Sequence, residues 1–213
     1  MRGSGMKSMR AGVVLLFGTA LLCPAARPQS EAQPRPQAAP APIRALVLTL
    51  DAAQSSLHWT LDSSLHTVHG TFALKSGIVH LDPAGGKADG EVVVSTATGQ
   101  SGNGSRDKRM HKEILETEKY PEIVFRPAQV EGRVQQNGAS DVKIAGVLSI
   151  HGGEHDLTVP VHVEFSGGRW NASAIFDVPY VKWGIKDPSN FLLHVKPVVH
   201  VELEMSGEVR AAD

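Results

Sequence analysis

The sequence predicts an all-β domain, an antiparallel sheet that closes into a barrel or splits into a sandwich, with one short helix. Three observations point there. From Leu157 to Phe165 apolar and polar residues alternate, with Leu157, Val159, Val161, Val163 and Phe165 on one face and Thr158, Pro160, His162 and Glu164 on the other. The pattern recurs further on, where Pro197, Val199, Val201, Leu203 and Met205 oppose Val198, His200, Glu202 and Glu204. Side chains in a strand point to opposite faces at period two, so each stretch is a strand with one dry face and one wet one. Third, strand signals bounded by Gly, Pro, Asn or Asp recur throughout, while one segment alone repeats at helical spacing. A sheet closed in this way encloses an apolar interior that is either packed with side chains or occupied by something apolar.

Residues 1–25 read as a secretory signal peptide. Arg2, Lys7 and Arg10 precede an apolar run over residues 11–22 that is too short to span a bilayer comfortably, and small residues follow. Cleavage near Ala25 would discard the one cysteine, Cys23, leaving a mature chain that uses neither disulfides nor thiolate ligands. A lipoprotein acylated at Cys23 is the lesser alternative, because Leu22 stands where a small residue is expected. The expected location is periplasmic or secreted, with no membrane span once the signal is gone. Residues 26–42 are nearly all Pro, Ala, Gln and Arg, a composition that cannot bury enough apolar surface to order itself, so a disordered spacer is expected. Without the signal, 18 Lys and Arg face 22 Asp and Glu, a formal charge of −4 that leaves no footprint for nucleic acid or an anionic membrane.

Residues 43–208 are then one domain and 209–213 a tail. Strands are expected over 45–51, over 56–61 with Leu57, Trp59 and Leu61 on one face, and over 70–76, 77–81, 90–98, 122–134, 141–150, 157–166, 170–177 and 192–205. Fusion of some around bends leaves eight to ten. The helix is expected over 105–119: Met110, Ile114 and Leu115 repeat at helical spacing, Ser105 is a natural N-cap, and Tyr120 followed by Pro121 supplies the stop. One amphipathic helix between barrel strands is expected to cover or line a barrel end, or to plug a gap.

Three segments carry a family likeness: Arg106-Asp107-Lys108-Arg109-Met110, then Tyr120-Pro121-Glu122-Ile123-Val124-Phe125, then Gly146-Val147-Leu148-Ser149-Ile150-His151-Gly152 running on to Val159-Pro160-Val161. Their order and spacing resemble the YceI-like family of exported bacterial proteins, over essentially residues 48–208. The resemblance implies an extended, lipocalin-like antiparallel barrel whose long pocket holds an apolar isoprenoid lipid, a polyisoprenoid or an isoprenoid quinone. It implies a binding protein rather than an enzyme, with no catalytic residues and no cofactor beyond the bound lipid. Two stretches depart from the family pattern. Tyr180-Val181-Lys182-Trp183-Gly184 keeps the aromatic and the glycine but lacks the usual arginine and acid, and His151-Gly152-Gly153-Glu154-His155-Asp156 is more polar than the family's turn.

The expected pocket lining is the set of inward-facing apolar positions: Leu57, Trp59, Phe72, Phe125, Ile144, Leu148, Val161, Val163, Phe176, Val201 and Leu203. His58, Arg106, Tyr180 and Trp183 are candidate headgroup contacts near a barrel mouth. Ten histidines invite a metal reading, above all His66 with His69 and His151 with Glu154 and His155. Zinc needs three or four converging ligands, and residues three apart on a strand face opposite ways, so no metal site is expected. Ser105 and Lys108 match a short Ser-x-x-Lys pattern, but the partner motifs of acyl-transfer enzymes are missing. The Arg106 and Asp107 pair reads as an ion pair or helix-start anchor. Competing readings are an envelope hydrolase acting through a histidine or Ser105, a histidine-dependent metal protein, and a ligand-free structural or stress module. The possibility of a homodimer stays open.

Overall fold

The computed structural model describes residues 45–212; the expected signal peptide, Cys23 and the spacer lie outside the described residues. Nine strands form one antiparallel sheet: β1 (Leu46–Leu50), β2 (Ser56–Asp62), β3 (Thr67–Asp82), β4 (Lys87–Gln100), β5 (Glu122–Glu131), β6 (Gly138–Ile150), β7 (Gly153–Ser166), β8 (Arg169–Val178) and β9 (Val199–Ala211). From β4 to β9 each strand pairs with its sequence neighbour, and pairing of β3 with β4 closes the ring. Both β1 and β2 lie between β3 and β9, joined by a single 3-10 turn (Ala52–Gln54). They share one place in the wall, so the barrel has eight strand positions. Closure removes every free sheet edge, which a half-apolar sheet of this length would otherwise expose to aggregation.

The alternation that predicts the strands also orients them. Along β7, Val159, Val161, Val163 and Phe165 are buried, while Thr158, Pro160, His162 and Glu164 are exposed. In β8 the same rule buries Trp170, Ala172 and Ala174. Two hairpins are closed by two-residue turns, His151-Gly152 and Gly167-Gly168, in which both residues have positive φ. That conformation matches the right-handed twist of the flanking strands, and glycine supplies it without strain.

The segments expected over 70–76 and 77–81 fuse into the 16-residue β3, with register shifts after Thr71 and Leu74 that bend it round the barrel. The last strand begins at Val199, not at residue 192. Its partner β8 ends at Val178 before Pro179, and Pro197 has no N–H to give a ladder. At its other end β9 continues to Ala211, paired with Leu46, so residues 209–211 belong to the wall and not to a tail. The helix is shorter than expected: α1 (Gly104–Arg109) leads into one π turn (Met110–Ile114), and Glu116 at φ 45° ends the run. Its N-cap is Asn103, whose side-chain oxygen accepts from the Arg106 N–H at 3.0 Å, and not Ser105.

The buried apolar residues form two clusters along the axis. One, around Val134, Val142, Phe165 and Trp170, fills the end where β5 meets β6 and β7 meets β8. The other, around Leu148, Ile150, Val178, Tyr180 and Ile185, lies toward the helix.

Candidate ligand-binding site

Between these clusters the barrel holds a cavity of about 400 Å³. Inward-facing positions of all nine strands line it, together with Met110, Ile114 and Leu115 from the helical segment and Leu193 and Val195 from the connection between β8 and β9. This volume is within the range of small-molecule pockets, roughly 300–1,000 Å³. Phe165 and Trp170, paired across β7 and β8, stand at the deep end, and the Trp170 indole donates to the Thr49 carbonyl at 3.3 Å.

All eleven apolar positions expected from the sequence, Leu57, Trp59, Phe72, Phe125, Ile144, Leu148, Val161, Val163, Phe176, Val201 and Leu203, are in the cavity wall. They come from seven strands, β2, β3 and β5 to β9, and meet only because the sheet closes. Gly70 stands directly across from Trp59, where any side chain would collide with the indole and with the Gln100 carbonyl. The Trp59 indole is buried, and its N–H has no hydrogen-bond partner among the described residues. An unmet donor in an apolar wall is a standing cost of about 1–3 kcal/mol.

Polar groups gather at the end away from Trp170. Arg106 donates from Nε to the Ser101 hydroxyl at 2.7 Å and from its terminal nitrogen to the Ser101 carbonyl at 2.8 Å. Asp107 accepts from the Ser101 N–H at 2.9 Å and from the Ser101 hydroxyl. The two residues expected to pair therefore converge on Ser101 and anchor the start of the helix. Arg109 reaches the Pro188 carbonyl at 3.4 Å and Glu113 at 3.6 Å, tying the helix to the β8–β9 connection. Tyr180 is buried and donates to the Lys196 carbonyl at 3.1 Å. Burial, with a lesser contribution from Asp187, pushes its phenol up to about 12, so it remains a neutral donor at any ordinary pH.

Of the four expected headgroup contacts, Arg106 and Tyr180 line the cavity. His58 does not. It lies between Leu57 and Trp59, both of which face inward, so the pleat turns it out to solvent. Trp183 lies in the turn after Tyr180, where its ring stacks on His155 with centroids 4.5 Å apart, away from the cavity lining. Sequence reasoning missed His66, Ser63, Arg109, Leu193 and Val195, all in the lining. His66 follows the end of β2 and Leu193 and Val195 lie in an irregular connection, so no strand periodicity marks them.

The histidine pairs do not converge. His69 faces Thr60, its Nδ1 3.0 Å from the hydroxyl, while His66 lines the cavity. His151 packs on Tyr120 and meets the Glu116 carboxylate at 2.9 Å, and His155 lies on Trp183. Among the described residues no three His, Cys, Asp or Glu come together as metal ligands would.

A family model for the YceI-like domain matches residues 48–207. The chain belongs to the YceI-like family. The YceI-like barrel also resembles solved structures along nearly their whole length. Burkholderia cenocepacia BcnA shares 18% identity at a TM-score of 0.61, with 74% of this chain and 99% of that one aligned. A polyisoprenoid binding domain from Saccharophagus degradans, implicated in plant cell wall breakdown, shares 18% at 0.62, over 76% and 98%. The Campylobacter jejuni YCEI protein shares 16% at 0.56, over 68% and 86%. At such identities the likeness shows the fold alone, an extended lipocalin-like barrel. No curated protein sequence matches the chain.

Proposed function

We propose that this chain is an exported binding protein that carries or sequesters an apolar isoprenoid lipid, a polyisoprenoid or an isoprenoid quinone, inside the barrel. The observation that carries this reading is the cavity itself: about 400 Å³, walled by aliphatic and aromatic side chains, with its polar groups at one end. An apolar chain against such a wall gains about 25 cal/mol for each Å² removed from water, enough for tight binding without a charged contact. The unpartnered Trp59 N–H offers a donor to an oxygen on the ligand. Family membership and the polyisoprenoid-binding neighbour support the ligand class. The export part of the reading rests on the sequence pattern of residues 1–25.

Native mass spectrometry of protein purified from an envelope fraction without detergent, followed by organic extraction, tests the reading. The expected result is one added mass that fragments as a prenyl lipid. Leu203→Glu, which puts a charge on the wall, should remove it. A bare protein mass that stays bare after incubation with a polyprenol and with a quinone would overturn the assignment.

A further inference from the structure

Five large apolar side chains stand exposed among the described residues, and three of them gather at the polar end of the barrel: Leu65 at 70%, Phe191 at 94% and Leu192 at 76%. The other two, Ile78 and Ile175, stand singly on the outer wall of β3 and β8. Isolated apolar residues on a surface need no explanation, but a cluster beside a cavity does.

Local hydrogen bonding holds the three in place. The Asn190 side chain accepts from the N–H groups of Leu192 and Leu193 at 2.9 and 3.0 Å, and the Asn190 N–H donates to the Leu193 carbonyl. That turn points Leu193 into the cavity wall and leaves Phe191 and Leu192 at its tip. Ser64, beside Leu65, exchanges hydrogen bonds with His194: the Ser64 N–H donates to the His194 carbonyl at 2.8 Å, and the His194 N–H to the Ser64 hydroxyl at 3.2 Å. The two tips are thus tied together, next to cavity-lining His66 and Leu193.

Charge is distributed to match. The connections at this end, residues 62–66, 101–121, 151–152 and 179–198, hold eight Lys or Arg and six Asp or Glu. Residues 45–212 elsewhere hold seven against fourteen, so connections of net charge +2 cap a body of net charge −7. Of the six acids, Glu113 is engaged by Arg109 and Lys186, Asp62 by Lys196, Glu116 by His151, Asp107 by Ser101 and Asp187 by Ser189, while Glu118 is exposed. Among the described residues Lys108 and Lys112 on the helical segment are exposed and have no acidic partner. A net charge of −4 hides this asymmetry, which is why composition alone argues against an anionic surface.

We propose that this end docks on an anionic lipid bilayer, with Leu65, Phe191 and Leu192 entering the interfacial layer and the surrounding lysines and arginines meeting lipid phosphates. Apolar side chains beside basic ones are the combination that binds the membrane interface, and here they would set the polar end of the cavity against the lipid. The inference goes beyond the carrier reading: the vesicles used below contain no isoprenoid, so a failure here leaves that reading standing.

The test is flotation of the purified chain with phosphatidylcholine vesicles, with and without phosphatidylglycerol. Binding is expected to the vesicles containing phosphatidylglycerol and to weaken as salt rises. Phe191→Ser and Leu192→Ser should each weaken it about tenfold, and Lys108→Gln and Lys112→Gln each about fivefold, while Ile175→Ser leaves it unchanged. Hydrogen exchange on the unsubstituted chain gives a second readout independent of variant folding, with vesicles slowing exchange in segments 62–66 and 186–198. Absence of flotation, equal flotation of every variant, or unchanged exchange in those segments would each overturn the proposal. So would a dimer that Phe191→Ser abolishes without any vesicle binding, which would assign the patch to a second copy of the chain.

Discussion

Replacing Val161 with threonine tests whether the cavity is dry, because it swaps a methyl for a hydroxyl at almost constant shape. Val161 sits midway along β7, 7% exposed, opposite Val142 on β6 and Ala174 on β8. Neither neighbour carries a side-chain acceptor or donor, and the backbone around it is engaged in the sheet ladders. A hydroxyl buried without a partner costs about 1–3 kcal/mol. For a domain of this size each kcal/mol moves the melting temperature by about 2–4 °C, so Val161→Thr should melt about 2–12 °C lower. Urea unfolding should show a lower midpoint at an unchanged slope, the signature of lost stability without a change in compactness. Thr158→Val is the control, being on the outer, wet face of the same strand, and should stay within about 0.5 kcal/mol of the parent. The same Val161→Thr variant should bind an apolar probe more weakly, since the hydroxyl must give up any water when a hydrocarbon packs against it. A stability loss under about 0.5 kcal/mol with unchanged probe binding would refute the reasoning, because it would mean that water already wets the wall.

Three further outcomes follow from the geometry. Gly70→Val forces a side chain against the Trp59 indole and the Gln100 carbonyl, and should lower stability by about 1–3 kcal/mol in urea unfolding while disturbing near-ultraviolet tryptophan signals. Tyr180 should show its phenolate absorbance only near pH 12; because its folded value lies above the ordinary 10.0, its contribution is complete below pH 10 and is lost as pH rises through 12, and Tyr180→Phe should remove that late step. Asp187 is held below its ordinary 3.8, first by the Ser189 hydroxyl and then by the Ser189 N–H, so its contribution is present above pH 3.8 and is lost as pH falls through the lower folded value. Protection of the amides in segment 186–198, taken relative to their intrinsic exchange rate at each pH, should therefore fall only below pH 3.8, and a loss of protection setting in at neutral pH would contradict the assignment.

The strands were legible where water and core compete across a pleat. Val159, Val161 and Val163 against Thr158, Pro160 and His162 admit one orientation, and the same parity places Leu57 and Trp59 inside and removes His58 from the site. The error at the start of β9 is instructive. Leu193 and Val195 continue the alternation of Val199 and Val201 and also face the cavity, yet they lie outside the nine strands, Val195 forming only an isolated bridge with Ser63. Apolar periodicity reports which side chains are drawn inward, and it does not report whether the backbone pairing continues as a ladder or stops at a single bridge. Trp183 fails for a related reason: the resemblance matched its residue type, but its direction depends on a turn in which Gly184 takes a positive φ. The existence of a cavity was not legible at all, since the same inward residues could have filled the barrel, and only the closure of eight strand positions fixes the volume they leave.

An apolar wall of this kind recognises area, not atoms. Each added stretch of an apolar ligand would contribute about the same free energy per Å², so selection among apolar chains would follow the length that fits between Trp170 and the helix rather than any one contact. Orientation has a different origin. The deep end is lined by Val134, Phe165 and Trp170, and the polar side chains in the lining, Ser63, His66, Arg106, Arg109 and Tyr180, belong to the other end. A headgroup driven inward would lose its water with only the Trp59 N–H to replace it, whereas at the other end it would meet the Arg106 and Arg109 guanidiniums, held by Ser101 and Pro188 with N–H groups to spare. A lipid with one polar end would therefore enter tail first, and its polar end would stay beside the exposed Leu65, Phe191 and Leu192.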